Sequence, residues 1–223
     1  YESFLALCEH VGSDDSLSRE AKTKEVKAAL EDVVARGLVI PERACAPTVG
    51  GYARHPLLVV PGAVSVYSMV WAPGQKTPIH DHGDLWCVEC VLNGEIEVDS
   101  FEAESPEIAN TKGGTVPFTF RTNAKAAKGD AGALIPPYDH HTLACFGDDT
   151  AITIHVYGDD MISCAVFIPI ADPAPNGDVL TRREERTLSA TTELPERDTV
   201  VRMDSALRWP AASASAVTVG YAG

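Results

Sequence analysis

The 223-residue chain lacks any apolar run that approaches the roughly 18 consecutive residues a membrane-spanning helix needs. It also lacks an excess of positive charge, since 18 Lys and Arg residues stand against 32 Asp and Glu residues, for a formal net charge of −14. Negative charge disfavours binding to the phosphates of nucleic acids and to anionic lipid surfaces. We therefore expect neither a nucleic-acid partner nor a membrane partner.

A secretory leader and internal repeats are also missing from the residues given. Because the sequence begins at Tyr1 rather than at Met, a leader could have been removed, but a cytoplasmic location is the expectation. The sequence indicates no oligomeric state.

The six cysteines do not form a pattern that predicts a disulfide framework, because they are scattered through a chain large enough to bury its own core. One Cys-x2-Cys is present, at Cys87 and Cys90. Residues three apart on a strand face opposite sides, and no second Cys-x2-Cys exists to complete a tetrahedral site. A structural zinc site is therefore not expected.

The first forty residues are predicted to be helical and to pack on the outside of a larger domain. Between Ser18 and Arg36, apolar residues recur at spacings of three and four, and Gly37 is a suitable C-terminal stop. The serines of the segment 13–16 are the candidate N-caps.

After Pro41 the sequence changes to short β-rich runs separated by Gly, Pro and Asp. Many short strands at even spacing predict an antiparallel sandwich or barrel over 41–170, within an all-β fold with N-terminal helices, and the jelly-roll class of β-barrels includes the cupins. Asn93-Gly94 predicts a type I′ hairpin between two runs. The region 171–223 is more polar, and two or three weak strands are expected there. The predicted strands are 57–60, 64–71, 85–92, 95–102, 116–121, 131–135, 141–146, 151–157 and 162–168.

The most informative segment has the spacing Gly74-x5-His80-x-His82-x4-Cys87-x6-Gly94. This is the spacing of the first metal-binding motif of the cupins, with cysteine where most cupins carry glutamate. Histidines two residues apart on a strand project from one face, so both imidazoles can reach one metal ion. The alternative is a pair of solvent-facing or core histidines without a metal.

A third ligand is expected from a later strand, where Pro136-x-Tyr138-x2-His141-x3-Cys145 resembles a degraded second cupin motif. The spacing selects His141 over His140, which should point the other way, to the surface or beside the ligands. Three neutral imidazoles leave about three coordination positions open, as in non-haem iron oxygenases. Without a carboxylate ligand the site is one charge more positive, so an anionic thiolate could bind the metal and supply that charge.

A second polar row is formed by Thr153, His155 and Tyr157, which alternate with aliphatic residues and therefore share one face of a strand. The row could be a solvent-exposed outer face. It could instead line a wet cavity, with the Thr153 hydroxyl orienting His155 and His155 bonded to the Tyr157 hydroxyl.

Over residues 50–168 the sequence resembles the cysteine dioxygenases, the thiol dioxygenases of the cupin superfamily. The matching blocks are Gly51-Tyr52-Ala53-Arg54, His80-Asp81-His82, Cys87, His141 and the Thr153-His155-Tyr157 row. The resemblance implies that His80, His82 and His141 bind Fe(II) and that Arg54 binds the substrate carboxylate. Tyr52 is expected to line the same pocket.

The resemblance also implies that Cys87 joins Tyr157 through a thioether, as in the eukaryotic members of the family. Cys87 could otherwise be a small buried residue that fills the space of the missing glutamate. The loop 102–115 and the tail after Phe167, including the segment 181–186, depart from the family pattern, and both could cover the mouth of the cavity.

The implied activity is the addition of O2 to the sulfur of a small thiol, L-cysteine to cysteine sulfinate. The thiolate and the amine would take two open iron positions and O2 the third. One alternative is another thiol carboxylate such as 3-mercaptopropionate, which arginine at position 54 disfavours. The other is a metal-binding cupin without oxygenase activity, an isomerase or a sensor.

Overall fold

The structure, a computed structural model, describes residues 1–193 and begins with two helices. These are α1 (Glu2–Ser13) and α2 (Arg19–Ala35), followed by a short 3-10 helix at Glu42–Cys45. The N-cap of α2 is Ser18, whose Oγ accepts the Ala21 N–H. The candidates at 13–16 were wrong, because Asp14 Oδ1 accepts both the N–H and the hydroxyl of Ser16 and holds it in a turn. In the described range no helix has the length and apolar character needed to cross a bilayer.

Within the described residues, eleven strands and one further short helix, α3 (Pro106–Ala109), follow. All nine predicted runs are strands; two have the predicted ends, and the ends of the others differ by up to six residues. The strands are β1 (Ala53–Val60), β2 (Val64–Trp71), β3 (Ile79–His80), β4 (Cys87–Asn93), β5 (Glu95–Ala103), β6 (Thr115–Ala127), β7 (Ala131–Leu134), β8 (His141–Cys145), β9 (Ala151–Tyr157), β10 (Ser163–Pro169) and β11 (Val179–Thr187).

The strands form two antiparallel sheets. The first sheet has the order β1-β2-β9-β4-β7, and the second closes into a ring in the order β10-β11-β6-β5-β8-β3. This arrangement is the cupin jelly-roll with N-terminal helices, as the sequence predicted. The sheets place β3 and β8 of the second sheet across the barrel from β4 and β9 of the first.

The predicted hairpin at Asn93-Gly94 is wrong. The chain leaves the first sheet at the end of β4 and enters the second sheet at β5, and the two strands do not pair with each other. Gly94 has φ of 75°, and a Cβ there would lie 2.8 Å from the Ala151 Cα. Glycine is therefore needed for a tight crossing between sheets rather than for a hairpin.

Successive side chains of β9 alternate between the hydrophobic core under the helices and the interior of the barrel. Ile154 and Val156 face outward and pack with Val26 and Leu30 of α2, while Tyr157 faces the barrel interior. The helices thus cover the outer face of the first sheet and leave the inner face free to carry chemistry.

The C-terminal region contributes directly to the barrel. Strand β11 pairs with β10 and β6 as part of the second sheet, so the barrel continues to Thr187, beyond the range 41–170. Further strands expected after residue 193 lie outside the described residues.

Candidate metal centre

Three histidines converge inside the barrel. His80 ends β3 and pairs with His141, the first residue of β8, while His82 follows His80 by two residues. The nitrogen atoms that the three imidazoles offer all lie within 4.8 Å of one another. The structure therefore brings together the three residues that the sequence selected as metal ligands.

Each imidazole is held through Nδ1. His80 Nδ1 lies 3.2 Å from the Pro78 carbonyl, His82 Nδ1 lies 2.9 Å from Asp139 Oδ2, and His141 Nδ1 lies 2.9 Å from the Asp139 carbonyl. A carbonyl oxygen can only accept, so at His80 and His141 the proton resides on Nδ1 and Nε2 carries a lone pair.

The Nε2 atoms of His82 and His141 are buried and have no hydrogen-bond partner. Buried polar atoms without partners are rare and call for an explanation. A metal ion bound to the Nε2 lone pairs would satisfy both, so the donor set fits a first-row transition metal.

Asp139 was missed by the sequence reasoning although it lies next to His140. Its Oδ2 accepts the backbone N–H of His82 at 3.0 Å in addition to facing the His82 ring. Burial raises the pKa of Asp139, but the hydrogen bond and charge of His82 outweigh burial and lower the pKa to about 2. Conversely, burial lowers the pKa of His82, and the hydrogen bond to Asp139 together with the nearby Glu89 carboxylate raises it to about 9.

His140 directly precedes β8, and its ring does not reach the metal centre. It is 6% exposed, and its ring packs against Phe118 and Phe167 at centroid distances of 5.0 and 5.3 Å. Burial lowers its pKa. The expectation that it does not ligate agrees with this position, but it is buried among aromatic rings rather than on the surface.

Glu89 is a second residue that the sequence reasoning missed. Its Oε1 lies 3.1 Å from His155 Nδ1, 3.4 Å from His141 Nε2 and 3.7 Å from His82 Nε2. Burial raises the pKa of Glu89, but its interactions with His155 and His141 outweigh burial and hold it well below its usual value. The available signal was its position two residues after Cys87, on the same inward face of β4.

The polar row on β9 is buried: Thr153, His155 and Tyr157 are at most 3% exposed. The solvent-exposed alternative is therefore wrong. Thr153 Oγ1 accepts the Trp71 indole N–H at 2.9 Å and lies 2.7 Å from His155 Nε2, while His155 Nδ1 lies 3.2 Å from the Tyr157 hydroxyl. Indole only donates, so this chain of contacts orients His155 between Thr153 and the metal centre.

Cys87 and Tyr157 are directly opposite each other on β4 and β9. Burial raises the pKa of both side chains well above their usual values, so a thiol and a phenol face each other. Cys90 lies on the other face of β4, in the core beneath the helices, as the spacing of three residues on a strand predicted.

Arg54 is buried beside this row. Its guanidinium lies 3.5 Å from the centroid of the Tyr67 ring, and its Nη2 donates to the Met161 carbonyl at 2.6 Å. Burial raises the pKa of Tyr157, and the charge of Arg54 acts in the opposite direction and lowers it. Tyr52 stacks on Trp71 with ring centroids 4.5 Å apart.

A cavity of about 320 Å³ opens beside His80. Its lining includes Tyr52, Lys76, Cys164 and Arg186. Arg186 comes from β11, so the segment 181–186 does contribute to the cavity, whereas no residue of 102–115 lines it. The sequence reasoning did not assign Arg186 or Lys76 a role, because both come from elements whose position in the barrel depends on tertiary pairing.

The family model for cysteine dioxygenase type I matches residues 48–168, more than half of the chain. Among solved structures, the chain is similar to an uncharacterized conserved protein with a double-stranded beta-helix domain from Klebsiella pneumoniae, at 20% identity over 56% of this chain and 92% of that chain, with a TM-score of 0.40. A Cupin 2 conserved barrel domain protein from Salinispora arenicola is 17% identical over 55% of this chain and 88% of that chain, with a TM-score of 0.37.

Proposed function

Since the chain belongs to the cysteine dioxygenase type I family of cupins, we propose that it is a non-haem Fe(II) dioxygenase of a small thiol, with L-cysteine as the first substrate to test. The observation that carries the proposal is the convergence of His80, His82 and His141 with two buried Nε2 atoms that lack partners. In this proposal the three imidazoles hold Fe(II), which would supply the site for thiolate binding and the electrons for reaction with O2.

The charge of the proposed site favours binding of the substrate as a thiolate. Neutral imidazoles bring no negative charge, so a site of this kind favours an anionic sulfur over a neutral thiol. The cavity beside His80 has the size of a small metabolite, and Lys76 and Arg186 in its lining attract a carboxylate. Arg54 is proposed to anchor the carboxylate from the inner side, since a planar guanidinium can bind it in bidentate fashion.

The row on β9 is proposed to position the reacting groups. Thr153 fixes the orientation of His155, and His155 holds the hydroxyl of Tyr157, which can then donate a hydrogen bond to the substrate. Tyr52, which stacks on Trp71, lines the same cavity.

The same geometry would serve 3-mercaptopropionate, which offers a thiol and a carboxylate but no amine. A cupin that binds a metal without oxygen chemistry, an isomerase or a sensor, would need the three histidines alone. The buried Tyr157, His155 and Thr153 are not required by such a protein, so their arrangement favours the oxygenase.

The test is oxygen consumption by protein loaded with Fe(II) under anaerobic conditions and then exposed to O2. Uptake should require both Fe(II) and a thiol, and mass spectrometry should show a sulfinate 32 mass units heavier than the thiol, two oxygen atoms having been added. A panel of L-cysteine, 3-mercaptopropionate and cysteamine identifies the substrate, and the variant His141→Ala is the inactive control. Absence of uptake with every thiol of the panel would overturn the oxygenase proposal.

A further inference from the structure

The cavity beside His80 is positively charged although the protein is strongly acidic. Asp and Glu outnumber Lys and Arg by 32 to 18 in the chain. Yet the described residues that line the cavity include Lys76 and Arg186 and no Asp or Glu. A cleft lined by charges of one sign concentrates ligands of the opposite sign. The lining therefore favours a negatively charged substrate.

Arg186 is placed at the cavity by strand pairing. It lies on β11 directly opposite Cys164 of β10, and Cys164 also lines the cavity. Residues that are directly opposite on paired strands present their side chains to the same face of the sheet. Arg186 is exposed, so its guanidinium lies at the mouth of the cavity.

The guanidinium of Arg186 has no carboxylate partner within salt-bridge distance in the described part of the chain. The two glutamates that precede it are bonded to other arginines, Glu184 to Arg182 at 2.8 Å and Glu185 to Arg183 at 2.9 Å. The other cation of the lining, Lys76, is paired with Asp99 at 3.0 Å. Arg186 is thus the cation of the lining that is available to a ligand.

Arg54 supplies positive charge at the inner side of the same cavity. Burial raises the pKa of the Tyr52 hydroxyl, and the charges of Arg54 and Arg186 both act to lower it. Burial likewise raises the pKa of the Cys164 thiol to about 12, and the same two charges act to lower it. Tyr52 and Cys164 both line the cavity, so the cavity extends between an inner arginine and an outer arginine.

We propose that the substrate is a small thiol with two carboxylates and that Arg186 determines this specificity. Arg54 binds the carboxylate on the inner side, and Arg186 binds the second carboxylate at the mouth. Each guanidinium can hold one carboxylate through two hydrogen bonds. The inference rests on the proposed function and narrows its substrate class.

The size of the cavity agrees with a substrate of this kind. Pockets for small-molecule ligands have volumes of roughly 300–1,000 Å³. The cavity has about 320 Å³, which is enough for a small ligand that extends from the inner side to the mouth. A thiol with one carboxylate would leave one of the two guanidinium groups without a partner.

Two thiols that differ by one carboxylate test the proposal. Mercaptosuccinate is 3-mercaptopropionate with a second carboxylate on the carbon that carries the sulfur. Protein loaded with Co(II) is titrated with each thiol in the absence of O2, and the charge-transfer absorption of the thiolate bound to Co(II) measures the dissociation constant. Wild type should bind mercaptosuccinate about tenfold or more tightly, because the second carboxylate gains a hydrogen bond between charged groups.

The variant Arg186→Gln should lose this preference and bind the two thiols with similar affinity, because glutamine retains a hydrogen-bond donor but not the charge. Arg182→Gln removes another exposed arginine of β11 that does not line the cavity. It is the matched control and should keep the wild-type preference. Circular dichroism and thermal unfolding establish that both variants are folded.

Equal affinity of wild type for the two thiols would overturn the proposal, and so would a folded Arg186→Gln variant that keeps the preference. The outcome is separable from the proposed function. A preference that depends on Arg186 in a protein that consumes no O2 with any thiol would support the role of Arg186 and refute the oxygenase. Uptake of O2 with 3-mercaptopropionate and no preference in binding would do the reverse.

Discussion

One oxygen of Asp139 holds His82 twice. Oδ2 accepts the backbone N–H of His82 at 3.0 Å and lies 2.9 Å from its ring Nδ1. The aspartate therefore fixes both the main chain and the ring of one proposed ligand, and its carbonyl fixes the ring of another, His141. Such partners orient the ligands and increase their basicity.

We predict that Asp139→Asn weakens metal binding by about 10–100-fold, because the amide cannot supply the charge that orients and polarises His82. Chelator competition with Co(II) measures the change. Asp148→Asn, in an exposed turn, is the control and should leave the affinity unchanged. Equal affinity of Asp139→Asn and wild type would show that the hydrogen bond only stabilises the fold.

Cys87 and Tyr157 should become joined by a thioether in protein that turns over with Fe(II), thiol and O2. The thiol and the phenol ring are directly opposite across β4 and β9, and joining them removes two hydrogen atoms that O2 can accept. The joined chain should run as a faster band on a denaturing gel and be 2 mass units lighter. Cys87→Ala should abolish the band, while Cys90→Ala, on the other face of β4, should retain it. A faster band that persists in Cys87→Ala would exclude this pair.

Arg54 is buried and Arg186 lines the cavity, and we expect the two arginines to differ in their effect on substrate binding. Arg54→Lys removes the planar guanidinium that stacks on Tyr67, and we expect KM for a thiol carboxylate to rise about 10-fold or more, with kcat less affected. Wild type and variant should have the same KM for cysteamine, which has no carboxylate. Arg182→Lys, exposed on β11, serves as the control.

If KM does not change in Arg54→Lys but rises in Arg186→Lys, the carboxylate is bound at the outer end of the cavity rather than beside Tyr67. That result would remove Arg54 from the substrate site.

Thr153→Val should cost about 1–3 kcal/mol of stability, because it leaves the Trp71 indole and His155 Nε2 without their shared partner in the barrel. Urea unfolding measures the loss. Thr153→Ser retains the hydroxyl and should restore both stability and turnover, which separates the hydrogen bond from the packing of the methyl group. A valine variant as stable as wild type would contradict the proposed chain of contacts.

Alkaline pH should reduce the stabilising effect of Tyr67. Burial is the largest cause that raises its pKa to about 12; the charge of Arg54 acts against it, and the hydrogen bond to Asp160 adds to it. Since the folded state retains the proton, the contribution of Tyr67 is complete below pH 10 and is lost as the pH rises toward 12.

The comparison that isolates this effect is wild type against Tyr67→Phe in urea unfolding at pH 8 and pH 11. Wild type should be the more stable at pH 8, through the bond to Asp160, and the difference should shrink at pH 11. A difference that stays constant would mean that Tyr67 titrates normally in the folded protein.

Residue types and their spacing were sufficient to predict most of the architecture. Alternation of polar and apolar residues has period two on a strand, so the nine runs could be read from one sequence, and so could the shared face of Thr153, His155 and Tyr157. The connection at Asn93-Gly94 could not be predicted, because a local sequence signal does not reveal whether the next strand pairs with the last one or crosses to another sheet.

The sequence by itself singled out the three histidines, since fixed spacing along the chain is a local property. Only the tertiary structure decided what surrounds them. It brought Asp139 beneath His82, Arg186 from β11 to the cavity, and Glu89 within 3.4 Å of His141. Pairing between distant strands creates these contacts, so the sequence could show a missing carboxylate at Cys87, and the fold was needed to show where another carboxylate lies.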